Sequence, residues 1–374
     1  MNLTIFKQNY YFLESSRLYF IDIVRAFAIL MMLQGHFVDT LLAVEYRDLN
    51  HSAFATWSYF RGITAPTFFT ISGLIFTYLL LKAKEKGVEN TRIRKGISRG
   101  FFLIGVGYLL RIPLNSWLSG KFPTSFLKID VLQCIGLSLI LVILLYLLSA
   151  KKNSIFSVVT LSLGLLIFVT EPMYRNLSLP DIPIFLSNYV SKSNGSVFNI
   201  IPWFGYVSLG AFLSTIFFKY LDRKNFKKWI LFIFISVGLL LIFYSSFFLA
   251  KLTKLTGIQI FLESASYNYL FTRFGNVLLY FSFFYGLESY LKFPLLLKIG
   301  QKTLSIYVIH FIIIYGSFTG LGLNTIIGKT LHPTQAVLGA ISFLVVVCFI
   351  SFYYVKTNTF IYQNLRRLFE RIKK

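Results

Sequence analysis

The chain has 374 residues, of which 56% are hydrophobic, and its formal net charge is +23. Soluble proteins are about 45–50% apolar, and the apolar residues here gather in long runs, so the composition excludes an ordinary soluble domain. In a membrane protein such a charge is typical of cytoplasmic loops, and we expect membrane lipid but no nucleic acid among the partners.

Ten apolar segments follow one another along the chain, which predicts an all-α, polytopic integral membrane protein of about ten transmembrane helices. Most approach the roughly 20 residues that a helix needs to cross the hydrocarbon core. The predicted spans are residues 18–42, 63–83, 98–116, 129–149, 154–170, 199–218, 228–250, 269–291, 296–316 and 334–356. They predict one transmembrane domain, 1–374, with a polar N-terminal segment, 1–17, and a basic C-terminal tail, 357–374.

Lysine and arginine residues predict the orientation of these helices. They are concentrated in the segments 82–100 and 219–228 and in the C-terminal tail, whereas the alternate loops carry far fewer. The positive-inside rule therefore predicts that both termini are cytoplasmic, and we expect a bacterial inner membrane as the location. The first 17 residues lack a basic region followed by a cleavable apolar core, so no signal peptide is expected.

The first span contains charged residues where a membrane helix is usually apolar. Its sequence DIVRAFAILMMLQGH includes Asp22, Arg25 and His36, and Asp39 follows. At about 100° per residue, these four lie on about one third of the helix circumference, along about 25 Å of its length. Lipid does not accept such a stripe, so we expect it to face the bundle interior or a water-filled cavity. Internal pairing, of Asp22 with Arg25 and of His36 with Asp39, is the simpler interpretation.

The loop after the first span carries a second histidine, His51, ahead of Arg61 in the segment NHSAFATWSYFRG. Histidine titrates near neutral pH and can accept and return a proton, although a loop histidine is often only solvated. No local His or Cys pair has the spacing of metal ligands, and Cys134 and Cys348 both fall in apolar runs. We therefore expect no metal site and no disulfide.

The sequence RLYFIDIVRAFAILMMLQGHF resembles the opening of the integral-membrane acyltransferases related to heparan-α-glucosaminide N-acetyltransferase, which form one superfamily with the family-3 acyltransferases. Arg25 and His36 match the family-3 arrangement of an arginine, ten residues and a histidine. His51 matches the position of the catalytic histidine in the heparan branch, which commonly has asparagine in place of His36. Later blocks of that branch match in the same order, in IDVLQCIGLS (129–138), NIIPWFGYVSLGAFLS (199–214) and IGQKTLSIYVIHFII (299–313).

The resemblance implies a membrane-bound acyltransferase that moves an acyl group, expected to be acetyl, from cytoplasmic acetyl-CoA to an extracytoplasmic sugar or glycan. It implies that His51 acts as general base on the acceptor or carries the acyl group itself. His36, oriented by Asp39, is then a second proton-handling group or itself the base. The sequence leaves these alternatives open.

Two further groups of residues are candidates for binding the substrates. The basic segment 82–100 suits the phosphates of CoA, although each of its charges taken singly is equally typical of a topology signal. The candidate residues for binding CoA are Arg25, Arg92, Arg94, Lys95 and Arg99. The residues that we expect to line the cavity and bind substrate are Asp22, Arg61, Asp130, Gln133 and His310.

A proton-coupled secondary transporter is the alternative function, because buried Asp, Arg and His residues also suit proton translocation. Against it, the two halves of the sequence lack the paired Gly/Pro-interrupted helices that are typical of inverted repeats. The polar stripe also argues against a membrane scaffold protein. The sequence leaves open the identity of the acceptor, the acyl chain, and the choice between N- and O-acylation. It also leaves open whether transfer is direct or passes through an acyl-enzyme, and whether the protein is a monomer or a homodimer.

Overall fold

A computed structural model describes the backbone of residues 18–372 and the side chains of residues 18–353. The predicted N-terminal segment, 1–17, lies outside the described residues, and so do the side chains of the predicted basic tail, 357–374. Among the described residues, the regular secondary structure is helical, and the one exception is an isolated bridge between Leu42 and Leu331. The prediction of an all-α protein is confirmed.

The helices vary widely in length, and the long ones are joined by short helical connections. In chain order they are α1 (Tyr19–Leu41), α2 (Ser52–Arg61), α3 (Thr64–Glu85), α4 (Glu89–Leu110), α5 (Leu114–Leu118), α6 (Val131–Leu148), α7 (Asn153–Val169), α8 (Glu171–Tyr174), α9 (Ile184–Val190), α10 (Ile200–Tyr220), α11 (Phe226–Phe243), α12 (Ser245–Thr256), α13 (Ile260–Ser266), α14 (Tyr269–Gly286), α15 (Pro294–Gln301), α16 (Thr303–Tyr315), α17 (Leu323–Ile326) and α18 (Pro333–Ile372).

Fewer helices could cross a membrane than the ten that the apolar runs predict. Within the described part of the chain, six stretches are long and apolar enough, namely Tyr19–Leu41, Ser52–Glu85, Thr124–Leu148, Ile200–Tyr220, Phe226–Phe243 and Pro333–Tyr353. The pair α15 and α16, bent by 71° at its break, makes a seventh if it counts as one span. The predicted count of about ten is therefore corrected to six or seven.

The missing spans have local causes. Helix α4 has its basic residues in its first three turns, which leaves only its second half apolar. Helix α7 has 17 residues, fewer than any of the six stretches named above. Helix α14 is long enough, but it includes polar side chains such as Arg273 and Asn276. Apolar runs in the sequence therefore overestimate the number of full membrane crossings.

Three long helices form the centre of the bundle. We compare the buried share of the most apolar 18-residue stretch in each span. It is 78% for α10, 72% for the α2–α3 stretch and 61% for α1. It is only 22% for α11 and 28% for α18. Helices α1, α3 and α10 therefore lie inside, and α11 and α18 present most of their surface outward. This arrangement places the polar stripe of α1 in the interior, as its composition requires.

Glycines allow these central helices to approach closely. A Cβ added at Gly210 of α10 would overlap the carbonyl oxygen of Thr70 on α3, and one at Gly73 of α3 would overlap the carbonyl oxygen of Val207. Gly300 of α15 packs in the same way against the backbone of Asp22 on α1. Small residues at membrane helix crossings are the usual means of bringing two backbones into contact. These contacts bring α3 against α10 and α15 against α1.

Candidate active site

A cavity of about 650 Å³, here called the catalytic cavity, lies beside the C-terminal half of α1, where α1, α3, α6 and α16 meet. Its charged and imidazole side chains are His36, Asp39, Arg61, Arg111 and Asp130, and its aromatic side chains include Trp203, Tyr269, Tyr307, Phe311 and Tyr315. An apolar cleft with a few convergent polar groups is the usual form of a small-molecule site. The cavity is large enough for a sugar.

His36 is held in this cavity by a tyrosine from a distant part of the chain. Its Nδ1 atom lies 2.7 Å from the hydroxyl oxygen of Tyr315, the last residue of α16, and the tautomer decides which of the two donates. The centroid of the His36 ring lies 5.3 Å from that of His310. The predicted pairing of His36 with Asp39 is wrong, because Asp39 forms its ion pair with Arg61 instead.

Two ion pairs flank His36 in the cavity wall. Asp39 at the end of α1 pairs with Arg61 at the end of α2. Asp130, the N-cap of α6, accepts a hydrogen bond of 2.5 Å from Nε of Arg111, the residue that follows α4. Because each carboxylate faces a guanidinium group, the wall combines hydrogen-bonding capacity with little net charge. Such a lining suits a polyhydroxylated ligand.

A second cavity of about 230 Å³, here called the basic cavity, continues from the first along α1. Three guanidinium groups line it, from Arg25, Arg92 and Arg99. The two cavities share four lining residues, and these are Met32, Phe68, Val131 and Tyr307. The two cavities are therefore adjacent along α1, with arginines in one and His36 in the other, and together they are here called the passage.

Arg25 is held in the wall of the basic cavity by two contacts. It donates a hydrogen bond of 2.8 Å to Oγ1 of Thr303, the first residue of α16, and lies 3.8 Å from a carboxylate oxygen of Asp22. The predicted pairing of Asp22 with Arg25 is confirmed. Because Thr303 and Tyr315 lie at opposite ends of α16, this helix runs beside the whole passage and is hydrogen-bonded to α1 at both Arg25 and His36.

Several predicted site residues lie away from both cavities. Arg94 and Lys95 are exposed on α4, and His51 is exposed just before α2. These three residues form no part of the wall of the catalytic cavity or of the basic cavity. The sequence analysis selected Arg94 and Lys95 because of their charge and His51 because of the resemblance. The fold places all three outside the passage.

Gln133 and His310 are also predicted cavity residues, and both are fully buried behind the cavity wall. Gln133 uses its Oε1 atom to accept a hydrogen bond of 3.2 Å from the backbone N–H of Asp130, which completes the capping box of α6. His310 packs its ring against His36 and Tyr307, with centroids 5.3 and 4.9 Å away. Both support residues that line the cavity.

The sequence analysis did not identify Arg111 or Tyr315 as site residues. Arg111 carried a usable signal, because it is a charged residue that follows the uncharged apolar stretch 100–110, and intramembrane charges are usually functional. Tyr315 carried none, because tyrosines are common in these spans and its partner His36 is 279 residues away in the chain.

Among the described residues, no group of three or more His, Cys, Asp or Glu side chains could hold a metal ion. The family model for the catalytic portion of heparan-alpha-glucosaminide N-acetyltransferase matches residues 17–252. No individual curated protein matches the chain. The matched region contains Arg25, His36 and both ion pairs of the catalytic cavity, and α16 lies beyond it.

Proposed function

Since this chain belongs to the heparan-alpha-glucosaminide N-acetyltransferase family, we propose that it is a membrane acetyltransferase that moves an acetyl group from acetyl-CoA to a sugar acceptor. The observation that carries this proposal is the passage formed by the basic and catalytic cavities. One end suits a polyanionic donor, and the other combines a histidine with polar groups for an acceptor.

The donor enters from the basic cavity. The phosphates of CoA are held by Arg92 and Arg99, since guanidinium groups bind phosphate oxygens in pairs of hydrogen bonds. The slender pantetheine arm then extends along α1 past Arg25 toward His36. These two residues are eleven apart on the helix, a distance of about 16 Å at 1.5 Å per residue. The thioester thereby reaches the catalytic cavity while the charged part of CoA stays outside it.

The acceptor binds in the catalytic cavity, and His36 acts as its general base. When Nδ1 of His36 donates its proton to the Tyr315 oxygen, Nε2 keeps a lone pair that can take the proton of the acceptor hydroxyl or amine. The freed acceptor atom attacks the thioester carbonyl carbon, a new C–O or C–N bond forms, and the C–S bond breaks. His36 then returns the proton to the departing CoA sulfur.

The orientation follows from where CoA occurs in the cell. Acetyl-CoA is cytoplasmic, so the end of the bundle with Arg92 and Arg99 faces the cytoplasm and the end with Asp39 and Arg61 faces outward. This agrees with the concentration of basic residues in the segment 82–100. We infer a location in the bacterial inner membrane with both termini cytoplasmic. Proton-coupled transport, the alternative from sequence, is not favoured by the family to which the chain belongs.

The test is acetyl transfer by the purified full-length protein in lipid nanodiscs. Radiolabelled acetyl-CoA is added with a panel of amino sugars and neutral sugars, and labelled product is separated by chromatography. Acetylated sugar that forms with the parent protein and not with empty nanodiscs supports the proposal. Absence of acetyl-CoA binding in a parallel calorimetric titration would contradict it, since no donor would then reach the passage.

A further inference from the structure

A third cavity, here called the side cavity, lies between α1, the α2–α3 stretch and α14 and has a volume of about 310 Å³. Its wall is formed mainly by apolar groups, and the lining residues are Ala28, Met31, Gln34, Trp57, Phe60, Ile63, Thr64, Thr67 and Tyr280. A cavity of about 300 Å³ or more is in the range of ligand sites. The mechanism of acetyl transfer does not use it.

The polar atoms of the side cavity are largely committed to each other. Trp57 donates its Nε1 proton to Oε1 of Gln34 at 2.7 Å, and Nε2 of Gln34 donates to the carbonyl oxygen of Met31 at 3.1 Å. Thr67, which is fully buried, donates to the carbonyl oxygen of Ile63 at 2.8 Å. Because few of these groups are left to bind a polar ligand, the side cavity suits a hydrocarbon chain.

The side cavity adjoins the catalytic cavity. Thr64, at the start of α3, lines both of them. The preceding residues divide between the two walls, with Gly62 in the catalytic cavity and Ile63 in the side cavity. The side cavity and the catalytic cavity are therefore adjacent at the α2–α3 junction.

Two guanidinium groups stand at this junction. Arg61 pairs with Asp39 in the catalytic cavity. Arg273 of α14 donates a hydrogen bond of 2.8 Å to the carbonyl oxygen of Tyr59 and lies against Gly62, where an added Cβ would be 2.6 Å from its Nη2. Among the ion pairs of the described residues, Arg273 has none, and its guanidinium group lies over the rings of Tyr59 and Tyr269, so the two arginines together face a single carboxylate. Two guanidinium groups with a single carboxylate favour a phosphate.

We propose that the acceptor is an amphiphile in which a phosphate joins a sugar to a long hydrocarbon chain. The sugar occupies the catalytic cavity, the phosphate lies between Arg61 and Arg273, and the hydrocarbon chain extends through the side cavity toward the lipid. This inference rests on the proposed acetyl transfer, because it takes the catalytic cavity as the site of the sugar.

Three probes separate the parts of such a ligand. The first is glucosamine joined by a phosphate to a farnesyl chain, the second is glucosamine 1-phosphate without a chain, and the third is a decyl glucosaminide without phosphate. Binding of each to the full-length protein in nanodiscs is measured by calorimetry, and empty nanodiscs correct for partition of the chain into lipid. We expect the farnesyl probe to bind on the order of tenfold or more tighter than glucosamine 1-phosphate, because its chain leaves water for an apolar wall.

Two variants test the two contacts. Met31→Trp fills the side cavity and should remove the advantage of the farnesyl chain, without changing binding of glucosamine 1-phosphate. Val237→Trp, at an exposed position on α11 that lines none of the three cavities, is its control. Arg273→Gln should weaken both phosphate-bearing probes and leave the decyl glucosaminide unchanged. Lys254→Gln, an exposed basic residue on α12, is the matched control.

The results separate this inference from the proposed reaction. Equal affinity for the farnesyl probe and glucosamine 1-phosphate in the parent protein would overturn the inference, and so would an advantage of the chain that survives in Met31→Trp. Acetyl transfer to soluble sugars without any effect of the chain would overturn it and leave the proposed acetyltransferase intact. Chain-dependent binding with no acetyl transfer to any probe would support the lipid site and contradict the proposed reaction.

Discussion

His36 and His51 differ most clearly in their surroundings. His36 lines the catalytic cavity with Nδ1 hydrogen-bonded to Tyr315, whereas His51 is an exposed residue that lines neither that cavity nor the basic cavity. A general base must reach the proton that it removes, so geometry comes before pKa in judging candidates. Position in the fold therefore favours His36, and resemblance to the heparan branch favours His51.

Replacement of each histidine separates the two hypotheses. His36→Asn keeps a hydrogen-bonding side chain that cannot take up a proton at neutral pH, so we expect kcat to fall by about 10²–10⁴-fold with acetyl-CoA affinity unchanged. His51→Ala should retain most of the activity. Steady-state rates and a calorimetric titration with acetyl-CoA measure both effects. The opposite ranking would make His51 the catalytic histidine and would contradict the role proposed for His36.

At the scale of elements, one face of α4 determines which of its basic residues line the basic cavity and are proposed to bind CoA. Arg92 and Arg99 are seven residues apart, which is about two turns, and both line the basic cavity. Arg94 lies roughly 200° around the helix from Arg92 and is exposed, as is Lys95. The helical period alone could have separated Arg94 from the cavity-facing pair.

This face gives a matched pair of double variants. Arg92→Gln with Arg99→Gln should weaken acetyl-CoA binding by about tenfold or more, because each charge-assisted hydrogen bond contributes about 1.5–3 kcal/mol. Arg94→Gln with Lys95→Gln removes the same formal charge from the same helix and should leave the affinity nearly unchanged. Calorimetric titration with CoA measures both. A similar loss in the two double variants would mean that net charge alone attracts CoA.

The crossing of α3 and α10 is the second feature at this scale. Gly210→Ala would drive a Cβ into the Thr70 carbonyl, and overpacking of this kind typically costs about 1–3 kcal/mol. We expect a lower unfolding temperature in detergent. Gly105→Ala, on the exposed side of α4 with no atoms near its added Cβ, should be neutral or stabilising because alanine favours a helix. Unchanged stability in Gly210→Ala would contradict the close contact of the two helices.

At the scale of the whole molecule, the proposed reaction requires the two ends of the passage to face opposite compartments. Lys95→Cys and Asn50→Cys, both at exposed positions, test this. A membrane-impermeant maleimide should label Asn50→Cys in intact cells and Lys95→Cys only in inverted vesicles. The parent protein, with Cys134 buried and Cys348 partly buried, gives the background. Labelling of both sites from one side would exclude transfer across the membrane through this passage.

The sequence by itself determined the features that depend on neighbouring residues. Long apolar runs gave an all-α membrane protein, because a helix satisfies its own backbone hydrogen bonds in lipid. Helical periodicity placed the charges of α1 on one face and predicted the Asp22–Arg25 pair. The count of spans failed because a run of apolar residues does not reveal whether its helix is short, as α7 is, or broken, as α15 and α16 are.

Only the tertiary structure decided how the site is assembled. His36 contacts Tyr315, which is 279 residues away in the chain. Asp39 pairs with Arg61 and not with the predicted His36, and Arg111 pairs with Asp130 at the start of α6. Such partners depend on which helices pack together, and close contacts between backbones contribute to that packing, as at Gly300 between α15 and α1 and at Gly100 and Gly136 between α4 and α6. Local periodicity cannot specify these contacts, because each is made between segments that are distant in the chain.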